Sequence, residues 1–115
     1  MLAAPHRLRR SSDFTLTVRQ GVRSGRTNLV VHCLLRPLDE PVRVGFTVGA
    51  QVGGSVVRHR VSRQLRELVR PLLPGLPAGT NLVVRALPGA AACGHASLKA
   101  DVDGAVATAL RKALA

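Results

Sequence analysis

Aromatic and acidic residues are scarce in this sequence of 115 residues. Phe14 and Phe46 are the only aromatic side chains, so the core must be built from valine, leucine and alanine. No stretch approaches the roughly 18 unbroken apolar residues of a membrane helix, and no apolar run follows the basic N-terminus as it would in a secretory signal. The two isolated thiols, Cys33 and Cys93, are expected to be reduced. We therefore expect a cytoplasmic protein that does not associate with membranes.

The residues that usually carry catalysis are few and scattered. The positions of the acids do not predict the converging carboxylates of acid–base or two-metal chemistry. The four histidines and two cysteines show no zinc-ligand spacing, and the glycines of residues 48–54 match neither a phosphate-binding loop nor a dinucleotide motif. We expect no catalytic residue, no metal site and no cofactor held by the protein itself. The six acids are Asp13, Asp39, Glu40, Glu67, Asp101 and Asp103.

Basic residues dominate the charge. Seventeen lysines and arginines against six acids give a formal net charge of +11, which calls for a polyanionic partner. Fifteen of the basic residues are arginines, whose planar guanidinium suits phosphate. An anionic membrane would also accept this charge, but the basic helix lacks the aromatic anchors of interfacial helices. A basic surface that only aids solubility is the remaining alternative, and the clustering of the arginines argues against it.

Hydrophobic periodicity and turn residues divide the chain into an arm and six elements. We predict an extended, flexible basic arm over residues 1–10, with Arg7, Arg9 and Arg10 and nothing to bury. A helix capped by Ser11, Ser12 or Asp13 should run to Gln20 and end at Gly21. The other predicted segments are a polar loop at 22–28, strands at 29–35, 42–48 and 81–86, a long helix at 55–72, and a last helix from Ser97.

Three finer expectations follow from the same patterns. The short connection between strands 29–35 and 42–48 predicts that they are antiparallel neighbours. Ser55 is expected to cap the long helix. Asp101 and Asp103 are expected in the first turn of the last helix, where the helix dipole favours acids.

The long helix carries the strongest local signal. Five arginines fall within thirteen residues, with one acid, Glu67, among them. At helical spacing one face is apolar and consists of Val57, Val61, Leu65, Leu68 and Leu72. The opposite face holds His59, Arg63, Arg66 and Arg70, with Arg58 and Arg60 on its flanks. We expect the apolar face to contact the sheet and the basic face to bind phosphate.

These elements predict a single RNA-binding domain over residues 1–115. Its fold class is α/β, in the form of an α+β two-layer sandwich in which helices pack on a small sheet.

Part of the chain resembles the bacterial ribonuclease P protein subunit. The resemblance lies in VGFTVGAQVGGSVVRHRVSRQLRELVR, residues 44–70, which follows the family's pattern of a VG strand, a connector ending in VG, and AVxRNRxKRxxRE on a helix. The N-terminal HRLRRSSDF is also similar, and the element order fits nearly the whole chain.

The resemblance implies a ribonucleoprotein in which the RNA is the catalyst. That RNA performs magnesium-dependent hydrolysis and removes the 5′ leader of precursor tRNA, while one protein subunit binds the RNA and the leader. A mixed sheet with a left-handed crossover around the arginine helix is also implied, against the general right-handed rule. By position, the RNA-binding residues would be Arg58, His59, Arg60, Arg63, Arg66 and Arg70. The leader cleft would contain Phe14, Val18 and His32, and the arm would add Arg7, Arg9 and Arg10.

Several residues depart from the family pattern. His59 stands in place of the asparagine of Arg-Asn-Arg, and Ser62 in place of a lysine. Fewer cationic and aromatic contacts should weaken leader binding, by about 1–3 kcal/mol for each lost stacking contact. The other departures are Ala50, Gln51, Gly54, Val18 and His32.

Two other functions are compatible with the composition. A ribosomal or general RNA-binding protein would carry the same charge without any role in processing. A stand-alone nuclease is the third hypothesis, and the scattered acids argue against it.

Overall fold

The computed structural model describes residues 6–115 and has three α-helices and four strands within them. The helices are α1 (Ser11–Gln20), α2 (Ser55–Val69) and α3 (His95–Leu114). The strands are β1 (Val22–Gly25), β2 (Leu29–Leu35), β3 (Arg43–Thr47) and β4 (Thr80–Ala86). Two 3-10 segments, Arg70–Gly75 and Pro88–Ala91, follow α2 and β4. The predicted α+β class with a small mixed sheet is confirmed.

The strands form one sheet in the order β1-β2-β4-β3. β2 is antiparallel to both β1 and β4, whereas β3 is parallel to β4. The prediction that β2 and β3 are antiparallel neighbours is therefore wrong, because β4 lies between them. β4 is buried at every position except Arg85, which suits it to the centre of the sheet, where both edges are paired. The β3–α2–β4 unit is a crossover between parallel strands, and its left-handed sense stays a prediction.

The connection between β2 and β3 crosses the end of β4. The Arg36 N–H donates to the carbonyl of Gly79 and the Gly79 N–H donates to the carbonyl of Glu40, both at 2.7 Å. Gly79 has a φ of +82°, and a Cβ there would overlap the carbonyl oxygens of Arg36 and Pro37. Glycine is thus required where the connection crosses the start of β4. The short connection between β2 and β3, which resembled that of a hairpin, instead carries the chain past β4.

The main core lies between one face of the sheet and the helices α2 and α3. From the sheet it takes the alternate residues Leu29, Val31 and Cys33 of β2 and Leu82 and Val84 of β4. The opposite face carries Gly45, His32 and Val83, and α1 covers part of it, with Thr17 fully buried. Helices α2 and α1 therefore lie on opposite faces of the sheet, on either side of strand β3.

The helix ends differ from the predictions in detail. The N-cap residues of α1 and α2 are Arg10 and Gly54, and neither Ser11, Ser12 or Asp13 nor Ser55 forms a side-chain cap. α3 begins at His95, before Ser97, so the predicted placement of Asp101 and Asp103 in its first turn is wrong. The α-helical part of the long helix ends at Val69 rather than residue 72, because Pro71 cannot donate a helical hydrogen bond and the chain tightens into a 3-10 segment.

Strand β1 was predicted as part of a polar loop. Ser24 is buried in it, while Arg23 and Gly25 face solvent. The alternation is that of a strand, but of its two inward residues only Val22 is apolar, which is too little to produce a hydrophobic signal.

The N-terminal segment is attached to the sheet over the residues that the structure describes. The Leu8 N–H donates to the Val44 carbonyl at 3.0 Å, and the His6 ring lies 2.7 Å from the Val42 carbonyl. Leu8 is only 6% exposed, although the sequence showed nothing in this segment to bury. Residues 6–8 are therefore anchored along β3, and residues 1–5 of the predicted arm lie outside the described residues.

Candidate nucleic-acid interface

Helix α2 is fixed by its apolar face and leaves its arginines at the surface. Val61, Leu65, Leu68 and Val69 are buried in the main core, and Val57 and Leu72 are half-buried against it. Because the buried residues recur every three or four positions, the arginines between them are directed away from the sheet. The predicted apolar and basic faces are thus both present.

The basic residues of α2 divide into two rows on either side of the helix crest. The outer row faces solvent and borders a shallow cleft of about 460 Å³. In it the Arg60 guanidinium donates to the Ala91 carbonyl at 2.6 Å, and Val56 is 83% exposed. We call this row, Ser55, Val56, His59, Arg60 and Arg63, the outer surface.

The inner row faces the free edge of β3. Arg58, Ser62 and Arg66 are spaced four residues apart and border a cleft of about 320 Å³ with Phe46 and Val48. The Arg66 guanidinium donates to the Ser62 hydroxyl at 3.3 Å, whereas the buried Nε of Arg58 has no partner within residues 6–115. Both arginine side chains border the cleft, where their positive charges can attract an anion.

The cleft continues past Arg66 to the first helix. Its next part, about 280 Å³, is bordered by Leu8, Phe14, Gly45 and Arg66. The Phe14 ring lies directly over Gly45, where a Cβ would overlap the ring. Glycine in the strand thus lets an aromatic side chain reach the floor of the cleft. We call the two connected parts, from Phe14 to Arg58 along β3, the edge groove.

The other two predicted leader residues lie on the same side of the sheet as Phe14, outside the edge groove. Val18 is one turn further along α1 and is 44% exposed. His32 is 8% exposed on β2, and its Nδ1 has no partner within residues 6–115. Burial lowers the pKa of the His32 imidazole, and the positive charges of Arg23 and Arg85 lower it further. His32 is therefore a neutral ring at neutral pH.

The predicted arm residues Arg7, Arg9 and Arg10 lie together beyond the other end of the edge groove. With Arg36 and Arg43 they border a cleft of about 650 Å³, which we call the arginine cleft. Arg70, at the C-terminal end of the helix, lies apart from it and forms an ion pair with Glu67 at 2.9 Å. The structure thus places the predicted cations on three connected surfaces and leaves Arg70 outside them.

Four of the six carboxylates, those of Glu40, Glu67, Asp101 and Asp103, are engaged with cations or amides. Glu40 pairs with Arg43 at 3.1 Å and Asp103 with Lys99 at 2.6 Å. Asp101 accepts hydrogen bonds from the backbone and side chain of Asn28, both at 3.0 Å. Within residues 6–115 no three histidine, cysteine, aspartate or glutamate side chains converge on a possible metal site.

The thiols and the helices add two further observations. Burial raises the pKa of the Cys33 thiol to about 11, so Cys33 stays protonated in the folded protein. In the part of the chain that the structure describes, no helix combines the length and the hydrophobicity needed to cross a bilayer.

Sequence reasoning missed several residues that shape the surface. Gly45 and Phe46 form the floor of the edge groove, and Arg36 and Arg43 complete the arginine cleft. A glycine inside an otherwise β-branched strand is a recognised sign of close approach by another group, and it could have identified Gly45. Arg36 and Arg43 gave no signal, because only the path of the chain over β4 brings them to the N-terminal segment.

Comparison with known proteins gives a consistent result. The Ribonuclease P family model matches residues 2–110. The chain is 47% identical to the ribonuclease P protein component of Salinispora tropica, over 95% of this chain and 93% of that protein. It is 50% identical to the protein of the same name from Rhodococcus opacus, over 86% of this chain and 84% of that protein.

Solved structures resemble the fold at lower identity. The RNase P protein of Staphylococcus aureus superposes with a TM-score of 0.81 at 19% identity, covering 91% of this chain and 97% of that one. The RNase P protein of Thermotoga maritima gives a TM-score of 0.75 at 21% identity, covering 91% and 96%.

Proposed function

The chain belongs to the ribonuclease P protein family, and from that premise we propose that it binds the catalytic RNA of ribonuclease P and the 5′ leader of precursor tRNA. As the protein subunit it assists endonucleolytic removal of the leader in tRNA maturation. The observation that carries the proposal is the pair of arginine rows on α2, one facing outward and one facing the edge groove. A single helix can thereby contact two RNA strands at once.

The outer surface is suited to the catalytic RNA. His59 and Arg63 are exposed on it and can each reach a phosphate or the edge of a base. His59 stands on the crest of the helix and borders the clefts on both sides. It therefore offers a ring for stacking or hydrogen bonding where the family pattern has an asparagine.

The edge groove is suited to a single strand. It combines the half-buried guanidinium of Arg66 with the ring of Phe14, the charge and the stacking surface that proteins use to hold single-stranded RNA. We assign the part of the leader next to the cleavage site to this groove. Val18 and His32 lie on the same face of the sheet as Phe14, and we propose that the leader contacts them where it passes beside α1.

The protein supplies binding surfaces, and the RNA supplies the catalytic groups. Three of the described carboxylates, Glu40, Glu67 and Asp103, are ion-paired with basic side chains, so they do not form the set of free oxygen ligands that magnesium prefers. Mg²⁺ is accordingly assigned to the RNA subunit. One protein per RNA, in the cytoplasm, completes the proposal.

Reconstitution with a cognate catalytic RNA tests the proposal. We expect the protein to lower the magnesium concentration at which that RNA cleaves precursor tRNA, because its cations replace metal ions between the two RNAs. A general RNA-binding protein would bind both RNAs without this effect. Cleavage of precursor tRNA by the protein alone would instead reveal a nuclease and contradict the division of labour.

A further inference from the structure

The arginine cleft gathers charge from three separate segments of the chain. Arg7, Arg9 and Arg10 come from the N-terminal segment, Arg36 from the end of β2, and Arg43 from the start of β3. Asp13 and Glu40 are the acids on its border. Five cations against two anions give the cleft a net positive charge in a concave site of about 650 Å³.

The segments that carry these arginines are held in place through the backbone. Leu8, between Arg7 and Arg9, is buried and hydrogen-bonded to Val44, and the Arg36 N–H is bonded to Gly79. The guanidinium groups of Arg9, Arg10 and Arg36 make no hydrogen bond or ion pair with any other residue from 6 to 115. Such a convergence of unpaired charges is costly unless an anion binds between them.

The first turn of α1 adds to the same field. Arg10 is its N-cap residue and forms no side-chain cap, so the first backbone N–H groups have no side-chain acceptor. Arg10 and Asp13 both border the arginine cleft, which places the positive end of the helix dipole beside the cluster. Both features favour an oxyanion.

The arginine cleft adjoins the edge groove, and the two share Arg7. Along β3, Arg43 borders the arginine cleft, Val44–Phe46 border the Phe14 part of the groove, and Phe46 and Val48 border the Arg58 part. Arg7 borders both the arginine cleft and the Phe14 part. One strand of RNA can therefore pass along the β3 edge from α2 to the arginine cleft.

We propose that the arginine cleft is a second phosphate-binding site, which holds the leader upstream of the stretch in the edge groove. This inference rests on the proposed function: the cleaved end of the leader lies near α2, where the catalytic RNA binds. Moving away from that end along β3, the next cations that a strand meets are those of the arginine cleft. Among the described residues no aromatic side chain borders the cleft, so we expect it to bind phosphates and not to stack bases.

A double variant, Arg9→Gln with Arg36→Gln, tests the site in the reconstituted holoenzyme. Neither guanidinium is bonded to another described residue, so the fold should keep its unfolding temperature. The readout is the affinity for two precursors that share one tRNA, one with a short leader ending in the edge groove and one with a long leader. We expect the long-to-short affinity ratio to fall about tenfold, and the salt slope for the long leader to fall by about 1.4, since each single-strand phosphate contact contributes about 0.7.

Arg111→Gln with Lys112→Gln is the matched control, because it removes two charges from the exposed end of α3, away from β3, and should leave the ratio unchanged. An unchanged ratio in the double variant would overturn the proposal. A loss of affinity for the catalytic RNA itself, equal for both leaders, would also overturn it and assign the phosphates to that RNA. The magnesium requirement of the parent protein tests the proposed function separately. If the parent does not lower it, the proposed function is wrong; if the parent lowers it and the ratio is unchanged in the double variant, only the second site is wrong.

Discussion

Phe14 depends on a residue that has no side chain. Gly45 leaves the space that the ring occupies above β3, so Gly45→Ala should force Phe14 to rotate out of the edge groove. Because the atom that must move is the far end of a side chain, we expect a destabilisation of only about 1 kcal/mol and a clear loss of affinity for leader RNA. Chemical denaturation and leader titration of the holoenzyme measure the two effects.

A double-mutant cycle supplies the control for that prediction. In the Phe14→Ala background the added methyl group meets no ring, so Gly45→Ala should cost little stability and no further leader affinity. Equal effects of Gly45→Ala in both backgrounds would show that the glycine acts through the backbone and not through Phe14.

His32 should make stability depend on pH. Burial and two arginines lower the pKa of the folded imidazole, while the unfolded residue titrates near its ordinary value of 6.5. As the pH falls below that value, the unfolded chain takes up a proton that the folded protein does not. The free energy of unfolding should therefore decrease with falling pH, by at most about 1.4 kcal/mol per pH unit for one proton.

Urea denaturation at several pH values between neutral and mildly acidic would measure this decrease. His32→Gln removes the titrating ring and should flatten the curve in that window. A variant curve parallel to that of the parent would assign the decrease to other groups.

At the scale of the elements, α2 is the clearest case for a binding test. Arg63→Ala should weaken binding to the catalytic RNA and reduce the salt slope by about 0.7–0.9 per lost phosphate contact. Arg63 is a better choice than Arg60, whose guanidinium also holds the Ala91 carbonyl. Filter binding over a salt series measures both quantities.

Arg111→Ala on α3 is the matched variant, since it removes the same charge from a different surface. If Arg63→Ala bound the catalytic RNA with the affinity and salt slope of the parent, the outer surface would not be the contact with that RNA.

A carboxylate of helix α3 holds the loop before β2, in addition to the hydrogen bond that Arg26 donates to Thr108. Asp101 accepts two hydrogen bonds from Asn28, which is itself buried. Asp101→Ala leaves these donors unsatisfied and should cost about 1–3 kcal/mol of stability. Asp103, two residues after Asp101, forms a half-exposed ion pair with Lys99. Asp103→Ala removes this pair and should cost less than about 1 kcal/mol of stability. Equal losses in thermal unfolding would contradict this reading of Asp101.

The elements were easier to predict than their partners. Periodicity was enough for α1, β3, α2 and α3, because burial of one face leaves a repeat in the sequence itself, and short apolar runs identified β2 and β4. It could not place β4 between β2 and β3, since pairing depends on which strand is buried on both edges. β1 was not predicted, because its buried residue Ser24 is polar and adds nothing to a hydrophobic pattern.

The candidate site shows the same division. The row of arginines on α2 could be derived from spacing alone. Its separation into Arg58 and Arg66 on one side and Arg60 and Arg63 on the other could not, because it depends on β3 and on the segment around Ala91. The arginine cleft was the least predictable feature, since Arg9 and Arg36 meet only through the tertiary fold.

For the whole molecule, salt should have two opposite effects. A formal net charge of +11 makes the folded protein repel itself, so added sodium chloride should raise the unfolding temperature of the free protein. The same salt should weaken RNA binding, because the counterions released on binding gain less entropy in more concentrated salt. Thermal unfolding and RNA titration over one salt series would test both signs. A parallel decrease would show that screening of favourable ion pairs outweighs the repulsion.

The central position of β4 also sets the order in which the molecule can form during synthesis. β4 is the last strand to leave the ribosome, yet both β2 and β3 pair with it. Until residue 86 emerges, the sheet consists of the β1–β2 hairpin, which is marginal on its own. At about 5–20 residues per second, the arginine helix is exposed for about one to three seconds before the sheet that positions it can close. A nascent chain can therefore attract RNA by charge before it has a groove in which to hold it.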